Sequence, residues 1–404
     1  MNKAQSKSAY KKDILDHLKE NRFLSPEDPN FFHGRIYGKS EPPIPHITWE
    51  SDAAPRHDHG APDWLTATEF SDTDEVFEDK IEWLLALLKI SSKTVIYTGA
   101  GISTAAGVEQ AARGGGSQKN KGRCSTDARP TLTHRALAAL QAEGLVHSWI
   151  QQNHDGLPQK AGYPQEDIVE IHGSWYDPSN PVVCYDGNLK QEYFQKMKEA
   201  ADTADLVLVL GTSLSGLNSD RVAKDPAKRS LQGRSLGTVI INLQQTQQDG
   251  ISSLRIFSQT DQVFTALLNK LGIPLQPEPK FPFRNKALIP YDKNGKLSLT
   301  KSMYLDLSDN QKIMLNPGHN CQGSKQGAFM HIGGSEAIRY RDRVRQPGPG
   351  YGKVVSYSKA QQGWQLQVEG VPMLLGGWWL EAAVRGALEY VPVINFDPKV
   401  VDKL

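Results

Sequence analysis

Val95, Ile96, Tyr97 and Thr98 form an apolar, β-branched run that passes directly into Gly99, Ala100 and Gly101, and then into helix-compatible residues as far as Gly107. That order reads as a strand, a tight turn and a helix N-terminus. With little or no side chain on Gly99, Ala100 and Gly101, the backbone can approach a pyrophosphate while the N–H groups of the following helix face its charge. A nucleotide is the ligand such an arrangement suits. The spacing is Gly-x-Gly with a third glycine six positions later, not the usual dinucleotide fingerprint, so the turn alone leaves a ligand-free glycine loop open.

The same grammar recurs downstream. Ile81, Leu84, Leu85 and Leu88 at helical spacing predict a helix that feeds the first strand, and Thr131 or Thr133 can cap a second helix lined by Leu137, Leu140 and Leu145. Strands are expected over 146–152, 168–172, 206–210 and 238–241, with a helix over 191–201. Continuous apolar runs such as Leu206–Leu210 are buried on both faces, as in a parallel sheet covered by helices, which places this region in the doubly wound α/β class. Each strand ends in small or polar residues: Gly99 to Ser103, Gln152 to Asp155, Gly211 to Ser213, and Asn242. Ligands of open α/β sheets bind outside the carboxyl ends of the strands, so these clusters converge on one crevice.

The 404 residues leave room for two or three domains. Lys plus Arg number 46 against 45 Asp plus Glu, so overall charge gives no argument for nucleic acid or membrane binding. Cys124, Cys184 and Cys321 stand far apart without a CxxC pair, which argues against a disulfide framework and a four-cysteine zinc site and favours a reduced, intracellular setting. Residues 1–21 have no apolar signal core and read as an exposed helix or tail in a soluble protein. The Pro-, His- and Asp-rich stretch 25–75 reads as an extended arm, its four histidines as arm residues and not metal ligands. Pro274, Pro277, Pro279 and Pro282 mark a linker, and short strand-and-turn patterns from 287 onward predict a small all-β module, with a barrel as one form. A strand over 374–380 would point Trp378 and Trp379 in opposite directions. The expected organisation is arm 1–77, catalytic domain 78–273, linker 274–286 and β-rich module 287–404.

The motifs at 99–103, 152–157, 170–174, 210–214 and 241–243, in this order, resemble the sirtuins, NAD-dependent protein deacylases, over roughly 81–272. The resemblance implies a Rossmann-like domain that binds NAD, beside a reduced small domain. It gives the pyrophosphate to Gly99, Ala100, Gly101, Ser103 and Gly107, with Arg113 as the retained arginine. Asn153 would lie at the nicotinamide ribose and Asp155 at the nicotinamide amide. His172 would act as general base, and an imidazole suits that step because its ordinary pKa is close to working pH. Gly211, Thr212, Ser213 and Asn242 would meet the adenosine half, and Gln152 and Leu243 complete the cofactor set. The implied partner is an acyl-lysine protein or peptide, the implied products nicotinamide, free lysine and O-acyl-ADP-ribose. A protein contact through the C-terminal module is expected, a membrane or nucleic-acid partner is not, and the location is nuclear or cytoplasmic. His154 reads as a polar filler and Cys184 as a small buried residue.

Three departures from the family pattern carry consequences. From Gly107 the family's Gly-Ile-Pro-Asp-Phe-Arg is replaced by Gly107-Val108-Glu109-Gln110-Ala111-Ala112-Arg113, in which one inserted residue brings the arginine to Arg113 and the aromatic that shields the reactive ribose is gone. Easier access of water favours NAD hydrolysis or ADP-ribosyl transfer, so those activities, and an NAD-binding protein without turnover, stay open. Between His172 and Leu206 the family's two cysteine pairs are missing, which predicts a zinc-independent protein with a small domain of helices and loops around 111–129. The strand expected to pair with the substrate peptide reads Val182-Val183-Cys184-Tyr185-Asp186-Gly187, which keeps backbone pairing but alters side-chain selectivity.

Overall fold

Chain order in the computed structural model begins with helix α1 (Lys7–Glu20) and strands β1 (His46–Trp49) and β2 (Glu69–Ser71). There follow α2 (Asp74–Ile90), β3 (Thr94–Thr98), α3 (Leu132–Ala142), β4 (Ser148–Gln151), α4 (Leu157–Lys160), β5 (Ile168–Glu170), α5 (Gln191–Thr203), β6 (Leu206–Leu210), α6 (Arg221–Ser230), β7 (Gly237–Ile241), β8 (Leu254–Ile256) and α7 (Thr260–Leu271). The structure describes residues 6–51, 62, 64–108, 125–180, 182, 189–215, 218–281, 284–316, 329–330, 338–339 and 350–396. Arg113, Cys124, Cys184, Cys321, His57, His59 and most of the stretches 111–129 and 182–187 lie outside the described residues.

Strands β5-β4-β3-β6-β7-β8 form one sheet in that spatial order, every pair parallel. The chain leaves β3 toward β4 and β5, then returns to the other side of β3 with β6, so the direction of winding reverses between β3 and β6. The apolar runs explain why both faces are covered. Ile96, Leu206, Leu208, Leu210, Val239 and Ile241 face a core built with α2, α3 and α7, while Val95, Tyr97, Val207, Val209 and Ile240 face α5 and α6. Each such fully buried aliphatic side chain contributes roughly 1.5–3 kcal/mol. Thr131, not Thr133, caps α3: its hydroxyl accepts from His134 N–H, and the His134 ring answers to Thr131 N–H. β8, carrying the buried Arg255, is a sixth strand that the apolar pattern did not announce.

The N-terminal region is docked rather than merely exposed. α1 buries Ile14 and Leu18, and Lys11 reaches Asp205 at 2.6 Å. The arm runs beside the edge strand β8, where Ile36 N–H donates to Ser253 O at 2.9 Å and Arg255 N–H to His33 O at 2.9 Å. That covering removes the open sheet edge. Under it lie two buried ion pairs, Asp72–Lys80 at 2.7 Å and Asp249–Arg255 at 3.1 Å.

Beyond the linker, β9 (Lys286–Ile289) pairs with β10 (Met303–Asp306), and β11 (Lys312–Leu315) joins a larger antiparallel sheet. The pair β12 (Phe329–Met330) and β13 (Ile338–Arg339) precedes β14 (Tyr351–Ser358), β15 (Gly363–Val368), β16 (Val371–Gly376), helix α8 (Gly377–Val384) and β17 (Val393–Asn395). The five-stranded order is β16-β15-β14-β11-β17, with no pairing between β16 and β17 among the described residues. The module is β-rich as its pattern predicts, with one correction. The strand expected over 374–380 ends at Gly376, and Trp378 and Trp379 sit on α8, both buried.

Candidate active site

At the reversal point the turns after β3 and β6 cross. Gly101 N–H donates to Gly211 O at 2.8 Å, and a Cβ on Gly99 would lie 2.7 Å from the Thr212 Cβ. Gly211 itself has φ +58°, in the left-handed region. The glycines therefore serve this crossing before any ligand. The segment after Gly101 also differs from expectation: in place of an α-helix N-terminus there are two short 3₁₀ turns, Ala100–Ile102 and Thr104–Ala106. Gly107 ends the second turn at φ +78° with no atom near its Cβ position, so it is needed for its backbone angle rather than for close approach.

The β4 cluster locks onto this turn. Asn153 Nδ2 donates to Gly99 O at 3.1 Å and to Ser103 Oγ at 3.0 Å, and Ser103 Oγ donates to Asp155 Oδ2 at 2.6 Å. Asp155 Oδ1 accepts Leu157 N–H at 3.0 Å. Ser103 and Asp155 are buried, so the carboxylate fixes two loops, while Asn153 stays half-exposed.

A second chain of contacts spans the sheet. His172 Nδ1 lies 3.3 Å from Gln152 O, Gln152 Nε2 donates to Thr212 Oγ1 at 3.2 Å, and Asn242 Nδ2 donates to Thr212 O at 3.4 Å. A carbonyl only accepts, so Nδ1 of His172 carries the proton and Nε2 is the acceptor, with no hydrogen bond to it among the described residues. Burial, then the neighbouring His154, lowers His172 to about pKa 4, against a smaller opposing effect of the Gln152 carbonyl. The ring is thus neutral across the physiological range. Ser213 is exposed, and Leu243 has its carbonyl taken by Phe70 N–H of the arm at 2.9 Å. The described residues expected at the site follow the carboxyl ends of β3, β4, β5, β6 and β7; Arg113 lies outside the described residues.

Behind the edge stands a buried acid. Glu170 is raised to about pKa 8 by burial, with a further push from Asp177 and Asp155, against hydrogen bonds from Ser174 and Gln159. Tyr176, in the turn that stands where the cysteine pairs are missing, enters the core of the C-terminal module: its ring is 5.1 Å from Trp378 and its carbonyl accepts Gly376 N–H at 3.1 Å. Gly156, beside Asp155, fits against both rings; a Cβ there would lie 2.7 Å from the Tyr176 ring and 3.1 Å from Trp378. Sequence reasoning missed His154, Trp175, Tyr176 and the arm's contact at Leu243. Only His154 left a signal, as a third polar residue between Asn153 and Asp155.

Among the described residues no group of three or more His, Cys, Asp or Glu side chains is arranged to hold a metal ion, and no helix is long and apolar enough to cross a membrane.

A family model described as the Sir2 family matches residues 117–180. The chain is 30% identical over 262 residues to the NAD-dependent protein deacetylase Sirt6 of Drosophila melanogaster, across 52% of this chain and 81% of that protein. It is 30% identical over 254 residues to the NAD-dependent protein deacetylase SRT1 of Oryza sativa subsp. indica, across 52% of each, and 28% identical over 260 residues to sirtuin-7 of Mus musculus, across 51% and 63%. The chain thus spans about half the length of the rice protein and under two thirds of the mouse one. A solved complex of a Sir2 protein with a p53 peptide and NAD+ is 25% identical, with TM-score 0.40, covering 48% of this chain and 98% of that one. The fold is that of a doubly wound α/β protein with its candidate site where the winding reverses. On its similarity to the fly deacetylase, the chain belongs to the Sir2 family, the sirtuins.

Proposed function

We propose that this protein is an NAD-dependent protein-lysine deacylase whose catalytic domain is 78–273 and whose base is His172. The observation that carries the reading is the 3.3 Å contact of His172 Nδ1 with Gln152 O, which assigns the proton to Nδ1 and leaves Nε2 as acceptor at the carboxyl edge of the sheet. A neutral imidazole at neutral pH can take a proton from a ribose hydroxyl, which is what the base of this reaction must do.

The residues present fit NAD. Ala100 is small and partly buried and Ser213 small and exposed beside the glycine crossing, and Gln152, Asn153, Thr212 and Asn242 supply amide and hydroxyl groups along the same edge. Under this reading Gly99, Ala100, Gly101, Ser103 and Gly107, with Arg113, hold the pyrophosphate side, and Gly211, Thr212, Ser213, Asn242 and Leu243 the adenosine side. Gln152 joins the two halves. Asn153 orients the nicotinamide ribose, and Asp155 accepts from the carboxamide while held in place by Ser103. When bound, NAD supplies an anomeric carbon whose bond to nicotinamide can be exchanged for one to an acyl oxygen. The chain's part is to orient that carbon, keep water away and receive the proton at His172 Nε2. The substrate is an acyl-lysine protein or peptide, and the setting is intracellular, nuclear or cytoplasmic.

The missing aromatic between Gly107 and Arg113 favours a second reading, ADP-ribosyl transfer or NAD hydrolysis on the same residues. Mass spectrometry of the products separates them: O-acyl-ADP-ribose marks deacylation, whereas free ADP-ribose or ADP-ribosylated protein marks the second reading.

A further inference from the structure

His154 and His172 are held as a crossed pair. His154, between β4 and α4, has Nδ1 2.9 Å from the Gly173 carbonyl, in the loop that carries His172; His172 has Nδ1 3.3 Å from the Gln152 carbonyl, in the loop that carries His154. Each ring therefore donates Nδ1–H to the other's loop. Trp175 N–H closes the clasp by donating to His154 O at 2.9 Å, and the His154 ring is 6.3 Å from that of Trp175. The two imidazoles are 6.5 Å apart and inclined at 50°.

We propose that His154 is a positioning residue for His172: by donating to the Gly173 carbonyl it holds the 172–175 loop so that His172 Nδ1–H meets the Gln152 carbonyl. The part about catalysis rests on the deacylase reading; the clasp itself does not.

The neighbours of His172 leave this role to His154. Asp155 turns its carboxylate to Ser103 and Leu157 N–H, Asp177 is held by Ser179, and Glu170 is buried against Ser174 and Gln159. None of these carboxylates acts on the His172 ring, whereas His154 does, and its effect is to disfavour the charged form. Two imidazolium charges at this separation repel, so protonation of either ring resists protonation of the other. Removing the second imidazole raises His172, and a base with a higher pKa loses activity at a higher pH.

The test is an NMR titration of the full chain with ¹⁵N-labelled histidine, the His172 signals being assigned by their loss in His172→Gln. Wild type is compared with His154→Gln, whose amide can still donate to Gly173 O, and with His154→Leu, which cannot. The expected result is a His172 midpoint raised in both variants by on the order of half a pH unit. The Nδ1–H tautomer is expected to be kept in His154→Gln and partly lost in His154→Leu. Nicotinamide release should show the same shift of its acid limb, with kcat reduced in His154→Leu, partly restored in His154→Gln, and KM for NAD unchanged. An unchanged midpoint and tautomer in both folded variants overturns the proposal. Because the NMR readout needs no substrate, a wild type without turnover counts against the deacylase reading and leaves the clasp decided by the titration.

Discussion

Gly101 and Gly211 approach so closely that neither has room for a side chain: a Cβ on Gly101 would lie 2.7 Å from Gly211 Cα, and one on Gly211 would lie 2.7 Å from the Gly101 carbonyl carbon. The contact is backbone on backbone, so no rotamer can relieve it. It joins the two strands at which the sheet reverses its winding, and it sets the shape of the turn that Asn153 and Ser103 lock.

Gly101→Ala should therefore destabilise the fold by about 3 kcal/mol and weaken nucleotide binding together with it. Gly107→Ala meets no atom and only has to adopt φ +78°, a cost of roughly 1–2 kcal/mol. Urea unfolding of the two variants, side by side, measures the difference; equal losses would contradict the crossing as the reason for Gly101.

Glu170 makes stability depend on pH. Its folded pKa, about 8, lies above its ordinary value of 4.5, so the folded state keeps a proton that the unfolded chain has released. Between those two values stability falls as pH rises, by about 1.4 kcal/mol per unit at most, and the contribution is lost above the folded pKa. Glu170→Gln should flatten the stability curve over that window and melt higher than wild type at pH 9. Thermal melts from pH 5 to 9 decide it.

The C-terminal module is tied to the site through aromatic packing. Trp378→Ala removes the ring that covers Tyr176 and Gly156 and should cost about 3–5 kcal/mol, lowering nicotinamide release more than the loss of folded protein explains. Trp378→Phe should retain most of both. Activity per folded molecule, with the folded fraction taken from near-UV circular dichroism, is the measurement.

Lys80→Met tests the buried ion pair under the arm. It leaves Asp72 without its 2.7 Å partner in a site closed to water, where loss of one charge costs about 3–5 kcal/mol. Asp72→Asn combined with Lys80→Met should recover much of that loss in a denaturant titration, because the uncompensated charge is then gone.

What could be read from sequence follows from the range of the interactions involved. β3, β6 and β7 are announced by runs such as Leu206–Leu210 because strands buried on both faces need apolar residues at every position. The clusters at 99–103, 152–155, 211–213 and 242 are read from a related rule, that the crevice of such a sheet lies where its strands stop, whereas the role of His172 comes from the family resemblance. β8 was hidden by Arg255, whose guanidinium is buried only because Asp249 and the carbonyls of Asn242, Gln244 and Ile256 satisfy it, partners that only the folded chain brings together. The segment around Trp378 reads as strand because a short apolar run fits a strand or a buried helix equally well. The 3₁₀ turns after Gly101 replace the expected helix through Ser103, which is drawn to Asp155 and Asn153 from 50 residues away and more. The clasp between His154 and His172 is likewise a contact between loops of two strands, with no local pattern to show it.

The central claim is tested most directly by nicotinamide release from NAD by the purified full chain, measured with and without an acetyl-lysine peptide, for wild type and His172→Ala. The account predicts release that depends on the peptide, yields O-acyl-ADP-ribose, and falls by about two orders of magnitude or more in His172→Ala. Release at the same rate without peptide, or undiminished in His172→Ala, would contradict it.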